Sequence, residues 1–233
     1  MPASYLPPMH AGTQRLRIPI FPLSNVVIFP GVQTPLHIFE PRYRVMTADA
    51  LAGERTLGMV AVHEEQREAI AGDPVLHPYG CLGAIQGAEK LEDGRYNIAL
   101  LGTKRFRIET EPPRPADRLY RVAEVTLLDD LLDPEEAPLL GDARRQAIEL
   151  FTQLVRRTNP ERLPDLGGDL FANVDDCTFV NTFCQLLELE PMEKQSLLQT
   201  DRVLERCERL STLLQFRLAE LSVQFQGGDR SWH

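Results

Sequence analysis

The 233-residue chain is 43% hydrophobic and 25% charged, a balance that excludes both a disordered polar tract and a chain too small to bury a core of its own. Its net charge of -9 falls wholly after residue 128: residues 1–128 carry 14 basic and 14 acidic side chains, residues 129–233 carry 11 and 20. That acidic balance repels phosphate backbones and speaks against a nucleic-acid partner.

In chain order, residues 1–15 show neither an early positive charge nor the apolar stretch of a secretory leader. No apolar run approaches the roughly 18 residues of a membrane span, so a cytoplasmic protein away from membranes is expected. The first strong signal is FPLSNVVIFPGVQTPLHIFEPRYRVM, residues 21–46. Its apolar run 26–29 reads as a buried strand ended by Pro30 and Gly31, because proline cannot donate to a sheet ladder and glycine accepts turn dihedrals. Strand resumes at 36–39, and Pro41 then opens a helix, where its fixed φ suits the first position. Tyr43, Met46 and Ala50 share one face of that helix, and Gly53 ends it. Phe39 and Tyr43 flank the corner at Glu40 and Pro41, so both rings are expected to be buried, with Glu40 paired to Arg105.

Runs rich in branched and aromatic residues at 57–62, 81–85, 96–101, 105–109 and 120–128 predict further strands. KLEDGRYNIAL is the clearest hairpin: Asp93 and Gly94 supply the turn, and Tyr96, Ile98 and Leu100 alternate with Asn97 and Ala99. Residues 64–80 and 111–118 read as surface excursions rich in proline, glycine and charge. A β-rich lobe over residues 1–128, mostly antiparallel and curled into a barrel, accommodates these signals.

DDLLDPEEAPLLGD, residues 129–142, holds six acids and no base and reads as an exposed connection. A helical lobe follows over residues 143–226, with helices at 143–157, 178–189, 192–200 and 201–225, the third opened by Pro191. Val203, Cys207, Leu210, Leu214, Leu218, Leu221 and Phe225 form a stripe on the last helix that is expected to pack on the other helices. GGDRSWH, residues 227–233, reads as a frayed tail.

Reactive constellations are sparse. There is no G-x-S-x-G, and Lys194 and Ser196 lie two apart on a helix, where side chains diverge on a solvated face. None of Lys90, Lys104 and Lys194 completes a phosphate loop, and the five histidines are scattered. The pairs Asp129 and Asp130, Asp175 and Asp176, Glu64 and Glu65 read as surface and helix-start charge. The cysteines, Cys81, Cys177, Cys184 and Cys207, form no CxxC pair and read as buried, reduced thiols. No catalytic residue, cofactor or metal is therefore expected. TKRFRI, residues 103–108, is the one small basic cluster: on a strand Arg105 and Arg107 share a face, either solvated or lining a groove for phosphate or carboxylates.

Taken together, IPIFPLSNVVIFPGVQTPLHIFEPRYRVM, EDGRYNIALLGTKRFRI and LELEPMEKQSLLQTDRVLERCERLSTLLQ resemble the N-terminal (LON) domain of the Lon ATP-dependent proteases, particularly its free-standing bacterial form. The resemblance spans residues 16–225 and implies an α+β fold, a PUA-like β-pseudobarrel followed by an α-helical bundle. Residue by residue it carries over Pro22, Pro30, Gly31, Phe39, Glu40, Arg42 and Tyr43, then Gly94, Tyr96, Gly102, Arg105 and Phe106. It also implies recognition of protein substrates. Lon's ATPase and Ser-Lys peptidase modules have no counterpart in these 233 residues, so the expected protein is not an enzyme but a binding module for unfolded or exposed apolar polypeptide. An RNA-binding module, by analogy with PUA folds, and an enzyme with an unrecognised site are the alternatives. The partner rim is expected where the two lobes meet, at Phe39, Arg42, Tyr43, Arg105 and Arg107. Client and oligomeric state stay open.

Overall fold

The computed structural model describes residues 14–69, 72–161 and 174–227, and of residues 67–69 and 223–227 the backbone alone. The expected tail after Gly227 and the N-terminal residues before Gln14 lie outside the described residues, as does the Phe225 side chain. The elements run β1 (Arg15–Leu23), β2 (Gln33–Ile38), α1 (Pro41–Ala52), β3 (Thr56–Val62), β4 (Leu76–Lys90), β5 (Tyr96–Thr110), β6 (Arg121–Leu128), α2 (Ala137–Thr158), α3 (Asp176–Leu186), α4 (Pro191–Gln199) and α5 (Val203–Gly227). The strands form a mixed sheet in the order β2-β5-β4-β3-β1-β6. β1 and β3 pair in parallel and the other neighbours antiparallel. Because β6 also pairs with β5, the ladder β5-β4-β3-β1-β6 returns on itself and leaves β2 outside.

Local chemistry explains most boundaries. Pro41 opens α1 behind Glu40, Gly53 closes it, and Tyr43, Met46, Thr47 and Ala50 are its buried face. The Asp93-Gly94 turn joins β4 to β5, with Gly94 at φ 79°, a left-handed value that glycine adopts without a Cβ clash. Asp175 caps α3 by accepting from the Thr178 amide, and Glu190 with Glu193 boxes the start of α4.

Several expectations are corrected. Residues 26–29 are not a strand, although Val27, Ile28 and Phe29 are buried; Ile28 packs against the sheet and α1, whereas Val27 and Phe29 enter the helical core. The predicted strands 96–101 and 105–109 are one strand, with Thr103 bulged where the β4–β5 register shifts between Leu82 and Gly83. The excursion 64–80 ends earlier, since His77, Pro78, Tyr79 and Gly80 already belong to β4. Residues 137–142, read as connection, are the first turns of α2. Phe39, expected in the core, is 61% exposed. Its ring follows β2 on the solvent side, while Tyr43 alone turns inward against Phe21, with ring centroids 4.3 Å apart.

The largest correction concerns Arg105, 1% exposed rather than on a solvated face or paired to Glu40. Phe106 faces the inside of the returning sheet, and Arg105 points the other way, beneath the helices. Arg105 Nε donates to Asp130 Oδ1 at 2.6 Å, Nη1 to the Leu198 carbonyl at 3.1 Å and Asp201 Oδ1 at 2.8 Å, and Nη2 to the Asp129 carbonyl at 2.8 Å. Arg206, fully buried on α5, meets the same Asp130 oxygen from the other side at 2.8 Å. It also donates to the Thr200 carbonyl at 2.6 Å and to Asn181 Oδ1 at 2.5 Å, and Asn181 returns a hydrogen bond to Asp130 Oδ2 at 3.0 Å. Burial pushes the Asp130 carboxyl up, but hydrogen bonds from Arg206 and Asn181 and the charges of Arg206 and Arg105 outweigh it and hold the group at about 2.

Phe39→Ala is expected to leave the melting temperature within about 2 °C of the parent, whereas Phe29→Ala, at a site with no exposure, costs about 3–5 kcal/mol in urea unfolding. Asp130→Asn leaves two buried guanidiniums facing one remaining carboxylate and costs about 3–5 kcal/mol at neutral pH. Since the native Asp130 titrates below its unfolded value, its contribution is present above the unfolded pKa and is lost as pH falls through about 2. Urea titrations from pH 6 downward should therefore show the parent and the Asn variant converging in acid.

Candidate functional site

β2 is the edge of the sheet, and its backbone has a definite polarity. Gly102 N–H donates to the Val32 carbonyl at 2.9 Å, which makes that position a hydrogen-bonded pair. Stepping by two along the antiparallel register, Thr34, Leu36 and Ile38 direct their amides at Leu100, Ile98 and Tyr96 of β5. Gln33, Pro35 and His37 therefore direct theirs away from β5, to the side where no further strand lies among the described residues. Pro35 removes a donor from the open edge and none from the ladder, which is why proline is tolerated here. The edge offers carbonyls at Gln33, Pro35 and His37 and amides only at Gln33 and His37.

Beside the edge lies an open depression of about 590 Å³ across β2, β5 and β4. Cross-strand register sets two rows on its floor. Pro35, Ala99 and Gly87 are short and apolar, and His37, Asn97 and Glu89 are polar. The polar row has one consistent hydrogen-bond direction. Asn97 Nδ2 donates to Glu89 Oε2 at 3.2 Å, so Asn97 Oδ1 faces His37 Nδ1 at 2.7 Å and must accept. Arg95 Nη1 can only donate, so His37 Nε2, 3.1 Å away, accepts. The row is complete when His37 donates from Nδ1 and accepts at Nε2. Arg95 is steadied by Asp93, whose carboxyl is held below its ordinary range by the Arg95 backbone amide and then by the Arg95 side chain. The exposed Phe39 ring stacks over His37 at 6.3 Å.

The five residues expected at one rim are not brought together. Arg42 is half-buried at the corner: it pairs with Glu40 at 2.9 Å, lies 4.5 Å over the Tyr43 ring and reaches the Gly72 carbonyl at 3.5 Å. Tyr43 is 4% exposed and belongs to the core; burial raises its hydroxyl above the ordinary tyrosine range. Arg107 is exposed and paired with Glu109 at 2.9 Å. From Asn97, opposite His37, to Arg105 the chain runs roughly 25 Å along β5 at about 3.3 Å per residue, so the basic cluster and the Phe39 corner occupy different ends of the strand. His37, Asn97 and Glu89 escaped sequence reasoning because the row exists only once register is known. Asp130 was hidden in a run of acids.

Reactive groups elsewhere are quenched. Burial pushes the thiols of Cys81, Cys184 and Cys207 up to about 12. Lys194, expected on a solvated face, is half-buried and donates to the Gln185 carbonyl at 2.7 Å, away from the exposed Ser196.

Comparison with known proteins places this geometry. A family profile described as the ATP-dependent protease La (LON) substrate-binding domain matches residues 17–215. The Lon protease of Parabacteroides distasonis is 29% identical over 218 residues, 90% of this chain and 25% of that protein. The Lon protease of Cytophaga hutchinsonii is 26% identical over 208 residues, 89% of this chain and 25% of that protein. This chain thus spans about a quarter of the length of these relatives. Among solved structures, a Lon N-terminal domain protein from Xanthomonas campestris is similar at TM-score 0.55 and 26% identity, covering 84% of this chain and 96% of that one. The N-terminal domain of a Mycobacterium avium complex Lon protease shares the fold at TM-score 0.64 and 17% identity, covering 86% and 98%.

The hydrogen-bond row is directly observable. In long-range nitrogen-15 imidazole spectra at pH 8, His37 is expected as the Nδ1–H tautomer, and Asn97→Ala, which removes the acceptor facing Nδ1, or Arg95→Gln should shift it toward tautomer exchange. A dominant Nε2–H signal in the parent protein would contradict the geometry.

Proposed function

This chain belongs to the family of ATP-dependent protease La (LON) substrate-binding domains, and from that premise we propose that it is a non-catalytic module that binds unfolded or apolar-exposing polypeptide in the cytoplasm. The observation that carries this reading is the open β2 edge with the exposed Phe39 ring at its end and the shallow apolar trough beside it. An extended chain matches such an edge, because its alternating amides and carbonyls meet those of Gln33 and His37 while its side chains reach the trough. Phe39 is the apolar anchor of the rim and Arg42 its polar flank, with the Tyr43 ring beneath Arg42. Arg105 is a structural residue, and Arg107 lies outside the rim.

The returning ladder supports a PUA-like pseudobarrel and the packing of α2 to α5 a helical bundle. The buried thiols and the tethered Lys194 supply no activated nucleophile at this face, which supports a binding role over a catalytic one.

Titrating reduced, carboxymethylated α-lactalbumin, a permanently unfolded polypeptide, into isotope-labelled protein tests the proposal. Amide shifts are expected along β2 and residues 95–99, and Phe39→Ala should weaken binding about fivefold or more. Shifts confined to α5 would refute the location, and no shifts at saturating polypeptide would refute the binding role.

A further inference from the structure

A second apolar surface lies on the helices, remote in kind from the sheet edge. α4 packs along α5 in the opposite direction: Glu193 at its start pairs with Arg217 at 3.0 Å, whereas the Thr200 carbonyl at its end accepts from Arg206 at 2.6 Å. Between the two helices runs a groove of about 500 Å³, lined by Met192, Ser196 and Leu197 from α4 and by Arg209, Thr212 and Leu213 from α5. Leu197, 1% exposed, is its floor, and Met192, 40% exposed, is one wall. Phe216 is 65% exposed one turn beyond Thr212 on the same face of α5, so it extends the apolar surface past the groove's end. An exposed methionine on one wall, a leucine floor and an exposed phenylalanine on the flanking turn of α5 present an adaptable apolar surface.

The charges around the groove say what complements it. Arg209 is committed to Glu205 at 2.7 Å, and Arg217 to Glu193 and to Glu220 at 3.2 Å. Lys194 is turned to the Gln185 carbonyl. Arg209 and Arg217 are thus paired within the protein, whereas Glu190, which caps the start of α4, and Glu208, one turn before Thr212 on α5, are exposed and carry no ion pair among the described residues. The part of the chain that carries the groove, residues 129–233, holds 20 acids against 11 bases. A low-dielectric apolar trough in a negative field attracts a cation-bearing apolar chain and repels an acidic one.

We propose that the α4–α5 groove is a docking surface for an amphipathic basic polypeptide segment, whose apolar side chains seat on Met192, Leu213 and Phe216 and whose lysines or arginines reach toward Glu190 and Glu208. This surface is independent of the β2 edge. The probe is a fluorescein-labelled 14-residue peptide of leucine and lysine with helical spacing, LKKLLKLLKKLLKL, and its control replaces every lysine by glutamate. The lysine peptide is expected to bind the full chain, with affinity falling severalfold between about 50 and 300 mM salt, and the glutamate peptide to bind at least tenfold more weakly. Phe216→Ser and Met192→Gln, both at exposed positions where folding is insensitive, should each weaken the lysine peptide about fivefold or more. Phe39→Ala should leave it unchanged. Equal affinity for the two peptides, equal affinity of the parent and both groove variants, a loss with Phe39→Ala as large as with Phe216→Ser, or no binding by the lysine peptide would each overturn the proposal.

Discussion

A single carboxylate, that of Asp130, sits between two buried guanidiniums, and the arrangement of sheet and helices depends on it. Arg105 reaches it from β5 and Arg206 from α5. Neither arginine is solvated, so each must find its partners within the protein, because an unpaired buried charge costs several kcal/mol. They find them in groups that no one element could supply: the backbone after β6, Asn181 of α3, and the Leu198 and Thr200 carbonyls and Asp201 at the α4–α5 link. Two positive and two negative charges balance within the cluster, with Asp201 partly solvated. Each guanidinium spreads its donors over several acceptors from different elements, and contacts at this density permit few alternatives, so the network specifies how the helices lie on the sheet as much as it stabilises them.

This closure decides which surfaces are left for partners. With Phe106 inside the returning sheet and Arg105 beneath the helices, both faces of β5 are occupied at that end. The same strand at its beginning lies between β4 and the edge strand β2, and there the outer row His37, Asn97 and Glu89 meets solvent. One strand is thus anchored at one end and presented at the other. Pro35 limits the presented edge: with one amide removed, it can accept more hydrogen bonds than it donates, which blunts indiscriminate strand pairing while leaving a polypeptide something to recognise.

The cores also interlock. Residues 26–29 run between them without joining a ladder, placing Ile28 against α1 and the sheet and Phe29 among the helices, where the Phe29 amide donates to Gln185 at 3.1 Å. Strand geometry would have sent Val27 and Phe29 to the face opposite Ile28 in any case. Here the two faces are two different hydrophobic cores, so the segment reads as a buried strand and serves as a bridge.

Much was legible from local chemistry alone. Pro41 and Gly53 bound α1, Asp93 and Gly94 turn the hairpin, Pro191 opens α4, and the stripe from Val203 to Leu218 buries against the other helices, because capping, turn dihedrals and helical spacing act within a few residues. The three motifs carrying the family resemblance were legible for the same reason. What the sequence could not decide was anything that depends on what covers a face. Phe39 looks like a core aromatic and is exposed because β2 is an edge. Arg105 looks like a solvated strand residue and is buried because helices nearly a hundred positions later close over it. Asp130 looks like one acid among six and is the hub because two arginines, one from each side, converge on it. Those outcomes belong to register and closure, long-range pairings whose partners no local pattern names.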